Sequence, residues 1–182
     1  MALTLLLGGA GAGKSRLAAH LAAVSGSSVV VIATAEARDE EMAERIRRHR
    51  ELRPPEWVTV EEPLNLEGAL SSVPEGAMVL VDCLTLWVSN LMEQGLSDHD
   101  IEDRARKAAS LAASRTAGTV VVTNEVGSGI VPSNALARRY RDLLGRVNGI
   151  WAEVADRSAL VVAGQVLSLA GPETIAGWAE GG

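Results

Sequence analysis

Hydrophobic positions along this chain gather into short runs that do not alternate with polar ones: residues 2–7, 29–33, 78–82, 119–123 and 160–163. An alternating run would mark a strand with one wet face. A continuous run predicts a strand buried on both faces, and Val29-Val30-Val31-Ile32 adds β-branched residues that suit extended backbone. Between the runs, apolar positions recur every three or four residues, the spacing of one helix face. Leu17, Ala18, Leu21 and Ala22 predict a helix from about Lys14 to Val24, ended by Ser25-Gly26-Ser27-Ser28. Met42, Ile46 and His49 share a stripe over residues 39–50. The acidic start of that segment (Asp39, Glu40, Glu41) and its basic end (Arg47, Arg48, Arg50) match a helix macrodipole. Further helices are expected over 84–92, over the alanine-rich 101–115 capped by Asp98 or Asp100, and over 132–155, where Pro132 suits a first turn. The last carries the stripe Leu136, Tyr140, Leu143, Val147 and Val154. A short strand at 57–60, a weak helix at 64–70 and an antiparallel edge strand at 165–169 complete the pattern. The tail from Gly171 reads as loosely ordered, with Trp178 as its anchor.

Strands alternating with helices predict an α/β fold, a three-layer sandwich around a mostly parallel sheet. A chain of 182 residues makes one domain, 1–182. Charge narrows the partners: 17 basic against 23 acidic side chains give −6, which argues against a basic nucleic-acid face. A single cysteine, Cys83, cannot form an intramolecular disulfide and fits a reducing compartment. No apolar run approaches the roughly 18 residues of a membrane span, and residues 1–7 lack a basic leader region. The expectation is a cytoplasmic enzyme with no membrane partner.

Ligands of open α/β sheets lie beyond the carboxyl ends of the strands, so the residues that follow each apolar run are the candidates. After the first comes Gly8-Gly9-Ala10-Gly11-Ala12-Gly13-Lys14-Ser15, which fits the phosphate-loop pattern G-x-x-x-x-G-K-[ST] between a strand and a helix. Glycines let successive N–H groups converge on one anion, Lys14 reaches the β/γ-phosphates, and Ser15 holds a magnesium ion. Asp82, ending the 78–82 run, is the natural second magnesium-side carboxylate, or else a cap for the helix after it. Glu125 is either a further carboxylate at the nucleotide or a salt-bridged loop residue. Arg45, Arg47, Arg48, Arg50 and Arg53 crowd around His49 in an otherwise acidic chain. They form either a solvated helix face or a phosphate site in which neutral imidazole attacks phosphorus and guanidinium forks steady the charge. His20 is expected to be packed inside the first helix and His99 to sit in a polar loop. With one cysteine and three scattered histidines, zinc-ligand spacing is lacking.

These segments together carry a resemblance. Gly8–Ser15, Ala33-Thr34-Ala35, Asp39–Met42 with Arg45-Ile46, and His49-Arg50 with Arg53-Pro54 and Trp57 lead into Glu61 and Asp82-Cys83-Leu84-Thr85 with Asn90-Leu91. Thr123-Asn124-Glu125-Val126-Gly127-Ser128-Gly129-Ile130-Val131-Pro132 and the residues to Asn148 continue the match. From about residue 2 to 169 the chain resembles the bifunctional adenosylcobinamide kinase / adenosylcobinamide-phosphate guanylyltransferase family. The resemblance implies a P-loop NTPase-like fold. It implies an enzyme that phosphorylates adenosylcobinamide with ATP or GTP, then moves GMP from GTP onto adenosylcobinamide phosphate, releasing pyrophosphate. His49 would carry GMP covalently, with Lys14 as its catalytic partner. Nucleotide contacts carried over are Gly8, Gly9, Ala10, Gly11, Ala12, Gly13, Lys14, Ser15, Ala33, Thr34, Ala35, Arg50, Glu51, Leu52, Arg53, Glu61 and Asp82, with Mg2+ at Ser15 and Asp82. A homotrimer is implied as well. One departure stands out, because the family usually has arginine and serine where this chain has Gly11 and Ala12. Rival readings of the phosphate loop are an ordinary small-molecule kinase without a covalent histidine, and a nucleotide-switch ATPase.

Overall fold

A computed structural model of the chain describes residues 3–51 and 53–171. Strand β1 (Leu3–Leu7) enters helix α1 (Lys14–Ala23), and β2 (Val29–Ala33) is followed by α2 (Glu40–Glu51). Then come β3 (Val58–Glu61), α3 (Leu66–Ser72), β4 (Met78–Asp82), α4 (Leu84–Glu93) and α5 (Asp98–Ala113). The chain continues with β5 (Thr119–Val122), α6 (Ala135–Val154), β6 (Arg157–Val162) and β7 (Gln165–Leu169). The seven strands form one sheet in the order β3-β2-β4-β5-β1-β6-β7. Every pairing is parallel except that of β6 with β7.

The unbroken apolar runs have a direct cause in this arrangement. Val30, Ile32, Val79, Val81 and Val121 face a core shared with α3, α4, α5 and α6. Their alternates Val29, Val31, Met78, Leu80, Val120 and Val122 face a second core with Ala18 and Ala22 of α1. Each central strand is therefore covered twice, as a parallel sheet requires. Helix α2 buries no residue, so its apolar stripe is left to line something other than the core.

Several expectations need correction. Helix α5 is capped by Ser97, whose hydroxyl accepts the Asp100 N–H at 3.2 Å, so neither Asp98 nor Asp100 is the cap and His99 lies in the helix rather than in a loop. A serine followed three residues on by an acid outcompetes an aspartate already inside the turn. Helix α6 starts at Ala135, three residues after Pro132, because the Asn134 side chain accepts from the N–H groups of Leu136 and Ala137. Leu136, first in the predicted stripe, is exposed. His20 is exposed in the last turn of α1 rather than packed. Strand β6 begins at Arg157, where pairing with Thr4 of β1 recruits polar residues that hydrophobicity did not mark. Leu52, Trp178 and the tail beyond Gly171 lie outside the described residues.

Candidate active site

The loop between β1 and α1 takes its shape from glycine at two points. Gly8 has φ +151°, and a Cβ there would come 2.3 Å from the Val161 carbonyl oxygen of β6. Gly13, at φ +101°, opens α1 without any side-chain cap, so the first-turn N–H groups of the helix are left for a ligand. The β6–β7 turn braces the loop from the side. Ala163 and Gly164 both have positive φ there, as a two-residue hairpin turn demands, and the Gly164 N–H donates to Ala12 O at 2.9 Å. Lys14 is buried, with its ammonium donating to Gly8 O at 2.8 Å and Gly9 O at 2.7 Å. Burial lowers its pKa from the ordinary lysine value.

Asp82, at the end of β4, gathers the cationic groups of α2 and the turn after it. Arg53 donates to Asp82 Oδ2 at 3.0 Å, and His49 Nδ1 lies 3.3 Å from the same oxygen. Burial alone would raise the Asp82 carboxyl, but the hydrogen bond from His49 and the charges of His49 and Arg53 outweigh it and hold the pKa below the usual carboxylate value. In the neutral tautomer that donates Nδ1–H to the carboxylate, the ring's Nε2 carries the lone pair. His49 is half-buried, with 31% of its side chain exposed.

Two cavities meet at this pair. One, of about 400 Å³, opens over the phosphate loop and is walled by Lys14, Ser15, Arg45, His49, Asp82 and Asn124. The other is lined by Ala33, Ala35, Met42, Ile46 and Leu86, with Arg45, Arg50, Arg53 and Glu61 among its polar members. The stripe of α2 that buries nothing in the core is thus the wall of this second pocket. His49 and Asp82 line both cavities.

The remaining predicted residues divide. Ala10 to Ser15, Ala33, Ala35, Arg50, Arg53, Glu61 and Asp82 all reach the cavities, and Gly8 and Gly9 hold Lys14. Arg50 and Glu61 form an ion pair across the second pocket. Thr34 is fully buried: its hydroxyl donates to Cys83 O and accepts from Cys83 N–H, its N–H goes to Asp82 O, and its carbonyl accepts from Asn90. It braces the Asp82 strand end and offers no polar group to a ligand. Glu51 is exposed and paired with Arg47. Glu125 curls over its own loop, accepting from Gly127 N–H and from Ser128; among the described residues it is a loop residue held by hydrogen bonds and not by the salt bridge that was expected. Burial raises the Cys83 thiol, in keeping with a packed, inert cysteine. The cavity over the phosphate loop also takes in Arg45 of the arginine cluster, Asn124 from the strand-end candidates, and Thr85 and Leu86, to which sequence reasoning gave no role. For Asn124 the available signal was its place just past an apolar strand.

Comparison with known proteins agrees with this geometry. A family model described as cobinamide kinase / cobinamide phosphate guanyltransferase matches residues 4–169. The bifunctional adenosylcobalamin biosynthesis protein CobP of Pseudomonas aeruginosa is 46% identical over 92% of this chain and 96% of its own length. The bifunctional adenosylcobalamin biosynthesis protein CobU of Escherichia coli K12 is 40% identical over 89% of this chain and 96% of its own length. Among solved structures, the assembled ATPase EscN of the enteropathogenic E. coli type III secretion system superposes with a TM-score of 0.57 at 10% identity. The match covers 89% of this chain and 43% of that one. That likeness shows the P-loop NTPase fold alone. On the family match and the two relatives, this chain belongs to the cobinamide kinase / cobinamide phosphate guanyltransferase family.

Proposed function

We propose that this chain phosphorylates the aminopropanol hydroxyl of adenosylcobinamide with ATP or GTP, and then converts adenosylcobinamide phosphate to adenosylcobinamide-GDP through GMP held on His49. The observation that carries this reading is the position of His49 at the junction of the two cavities. Phosphate groups seated on the loop at Lys14 and a base in the pocket of Ala33, Ala35 and Glu61 would leave the α-phosphorus beside the imidazole. Nε2 then forms the N–P bond, the bond from the α-phosphorus to its β-bridging oxygen breaks, and pyrophosphate leaves. In the second step an oxygen of adenosylcobinamide phosphate displaces the imidazole, and Nε2 recovers its lone pair. Asp82 keeps the ring oriented through Nδ1, while Arg45 and Arg53 balance negative charge as it develops.

Ser15 and Asp82 supply the hard oxygen ligands that a magnesium ion uses together with phosphate oxygens, so the donor set fits Mg2+. When bound, Mg2+ neutralises phosphate charge. The proposal includes a cytoplasmic homotrimer with neither nucleic acid nor membrane as partner. Its supports are the acidic balance, and exposed Ile130, Val131, Leu136, Val166 and Leu167 as surface for subunit contacts. No described helix is long and apolar enough to cross a membrane.

The test is His49→Ala. Guanylyl transfer should be lost while phosphorylation of adenosylcobinamide from ATP continues within a few-fold of wild type. Transfer of GMP at the wild-type rate by this variant would remove His49 from the chemistry.

A further inference from the structure

Strand β5 lies between the phosphate-loop strand β1 and the Asp82 strand β4. Whatever follows β5 therefore stands between Lys14 and Asp82. That residue is Asn124, held with unusual care. Its N–H donates to Thr85 Oγ1 at 2.8 Å, and its carbonyl accepts from Asn148 Nδ2 at 3.0 Å. Asn148 is buried in turn and fixed by Thr123, whose hydroxyl donates to Asn148 Oδ1 at 2.7 Å. Two helices, α4 and α6, thus each send one buried polar side chain to pin the backbone of a single residue. Both main-chain groups of Asn124 are committed inward. Its carboxamide has no protein partner among the described residues, yet Asn124 lines the cavity that holds Lys14, Ser15, His49 and Asp82.

A buried polar network costs stability unless every member is satisfied, and here every member is satisfied except the group at its outlet. We propose that the Asn124 carboxamide is a substrate-contacting group for the kinase half-reaction, donating from Nδ2 to an oxygen of the terminal phosphate in transfer. Thr85 and Asn148 are its positioning residues. This rests on the kinase reading above and deepens it. In that step the acceptor hydroxyl oxygen bonds to the γ-phosphorus, and the bond from γ-phosphorus to the β,γ-bridging oxygen breaks. The nucleoside diphosphate leaves with the electron pair, and the hydroxyl proton passes to solvent. Charge moves onto the equatorial oxygens, where a fixed neutral donor acts without reorganising. A carboxamide is not a base, so its contribution is to the transition state and not to deprotonation. Attack at the α-phosphorus places no such demand at the γ end, and the two half-reactions should part company at this residue.

The experiment uses the full chain and measures both half-reactions in Asn124→Ala and Asn124→Asp. Removing one preorganised donor costs roughly 10²–10³ in turnover. The expected result is a fall of that order in kcat for adenosylcobinamide phosphorylation, with nucleotide KM moving only a few-fold in the alanine variant. Labelling of the protein by [α-³²P]GTP should stay within a few-fold of wild type. The aspartate, unable to donate and repelling phosphate, should lose turnover at least as much. The melting temperature should hold in the alanine variant, since the carboxamide makes no internal hydrogen bond. Kinase turnover at the wild-type rate in either variant would overturn the proposal. So would equal losses in both half-reactions with a lowered melting temperature, which would make Asn124 structural. Wild-type protein that fails to phosphorylate adenosylcobinamide would instead count against the function proposed above.

Discussion

Gly11 shows how much a single position in the phosphate loop can decide. Its φ of +70° is left-handed, and an added Cβ would meet nothing within 4 Å, so what opposes a side chain there is backbone strain and not crowding. An L-residue pays about 1 kcal/mol for that conformation. Arginine, which the resemblance gives at this position, would gain a donor over the phosphates and pay that strain. Ala12 faces no such cost. Its carbonyl is held by Gly164 and its N–H by Gly9 O, leaving only the side chain to change. Ala12→Ser should therefore raise kinase turnover modestly, by less than about tenfold for one added hydrogen bond. Gly11→Arg should gain less than its charge suggests, and its melting temperature should fall slightly. Steady-state kinetics and melting curves of the two single variants check this; equal gains in both, with no change in melting, would show that the backbone strain is immaterial. Lys14, Asp82 and His49 were all legible in the sequence because each belongs to a pattern of spacing or composition. Asn124 and Thr34 were legible only as strand-end positions and not in their roles, because what distinguishes them is which of their polar groups are already used, and that is fixed only by packing.

Among the elements, strands announced themselves more clearly than helix ends did. A doubly buried parallel strand must be apolar at every position, so β2 and β4 were predicted with the limits they have. Helix starts depend on one side chain reaching back to the backbone, and several residues compete for that role. Asn134 won over Pro132, and Ser97 over two aspartates. Asn134→Ala removes the acceptor for two N–H groups of α6 and should cost about 1 kcal/mol of stability in urea unfolding. An unchanged midpoint would mean that water caps the helix equally well. Arg115 was also invisible in sequence. It is buried after α5 and donates to the carbonyls of Leu70, Val73, Pro74 and Ala77, securing the end of α3 and the approach to β4. Helix α2 is the opposite case: its weak stripe has no core to join, and its length of exposed arginine reads as a solvated face until the pocket beneath it is seen.

The whole molecule reads as a sheet whose carboxyl edge brings a phosphate loop, a carboxylate, a carboxamide and a histidine helix to one place. Exposed apolar residues include Val166, Leu167 and Leu169 on β7 and Ile130, Val131 and Leu136 along the 130–136 segment. If these are subunit contacts, light scattering should return three times the chain mass, and a monomer at micromolar concentration would refute the trimer. The central claim is narrower, that His49 holds GMP between two substrates. Intact-protein mass spectrometry after incubation with GTP and magnesium, with no cobinamide present, tests it most directly. The expected result is a gain of one GMP per chain, located on the peptide that contains His49, stable to base and labile to acid. The gain should disappear when adenosylcobinamide phosphate is added. A mass unchanged by GTP in protein that still makes adenosylcobinamide-GDP, or an adduct on any other residue, would contradict it.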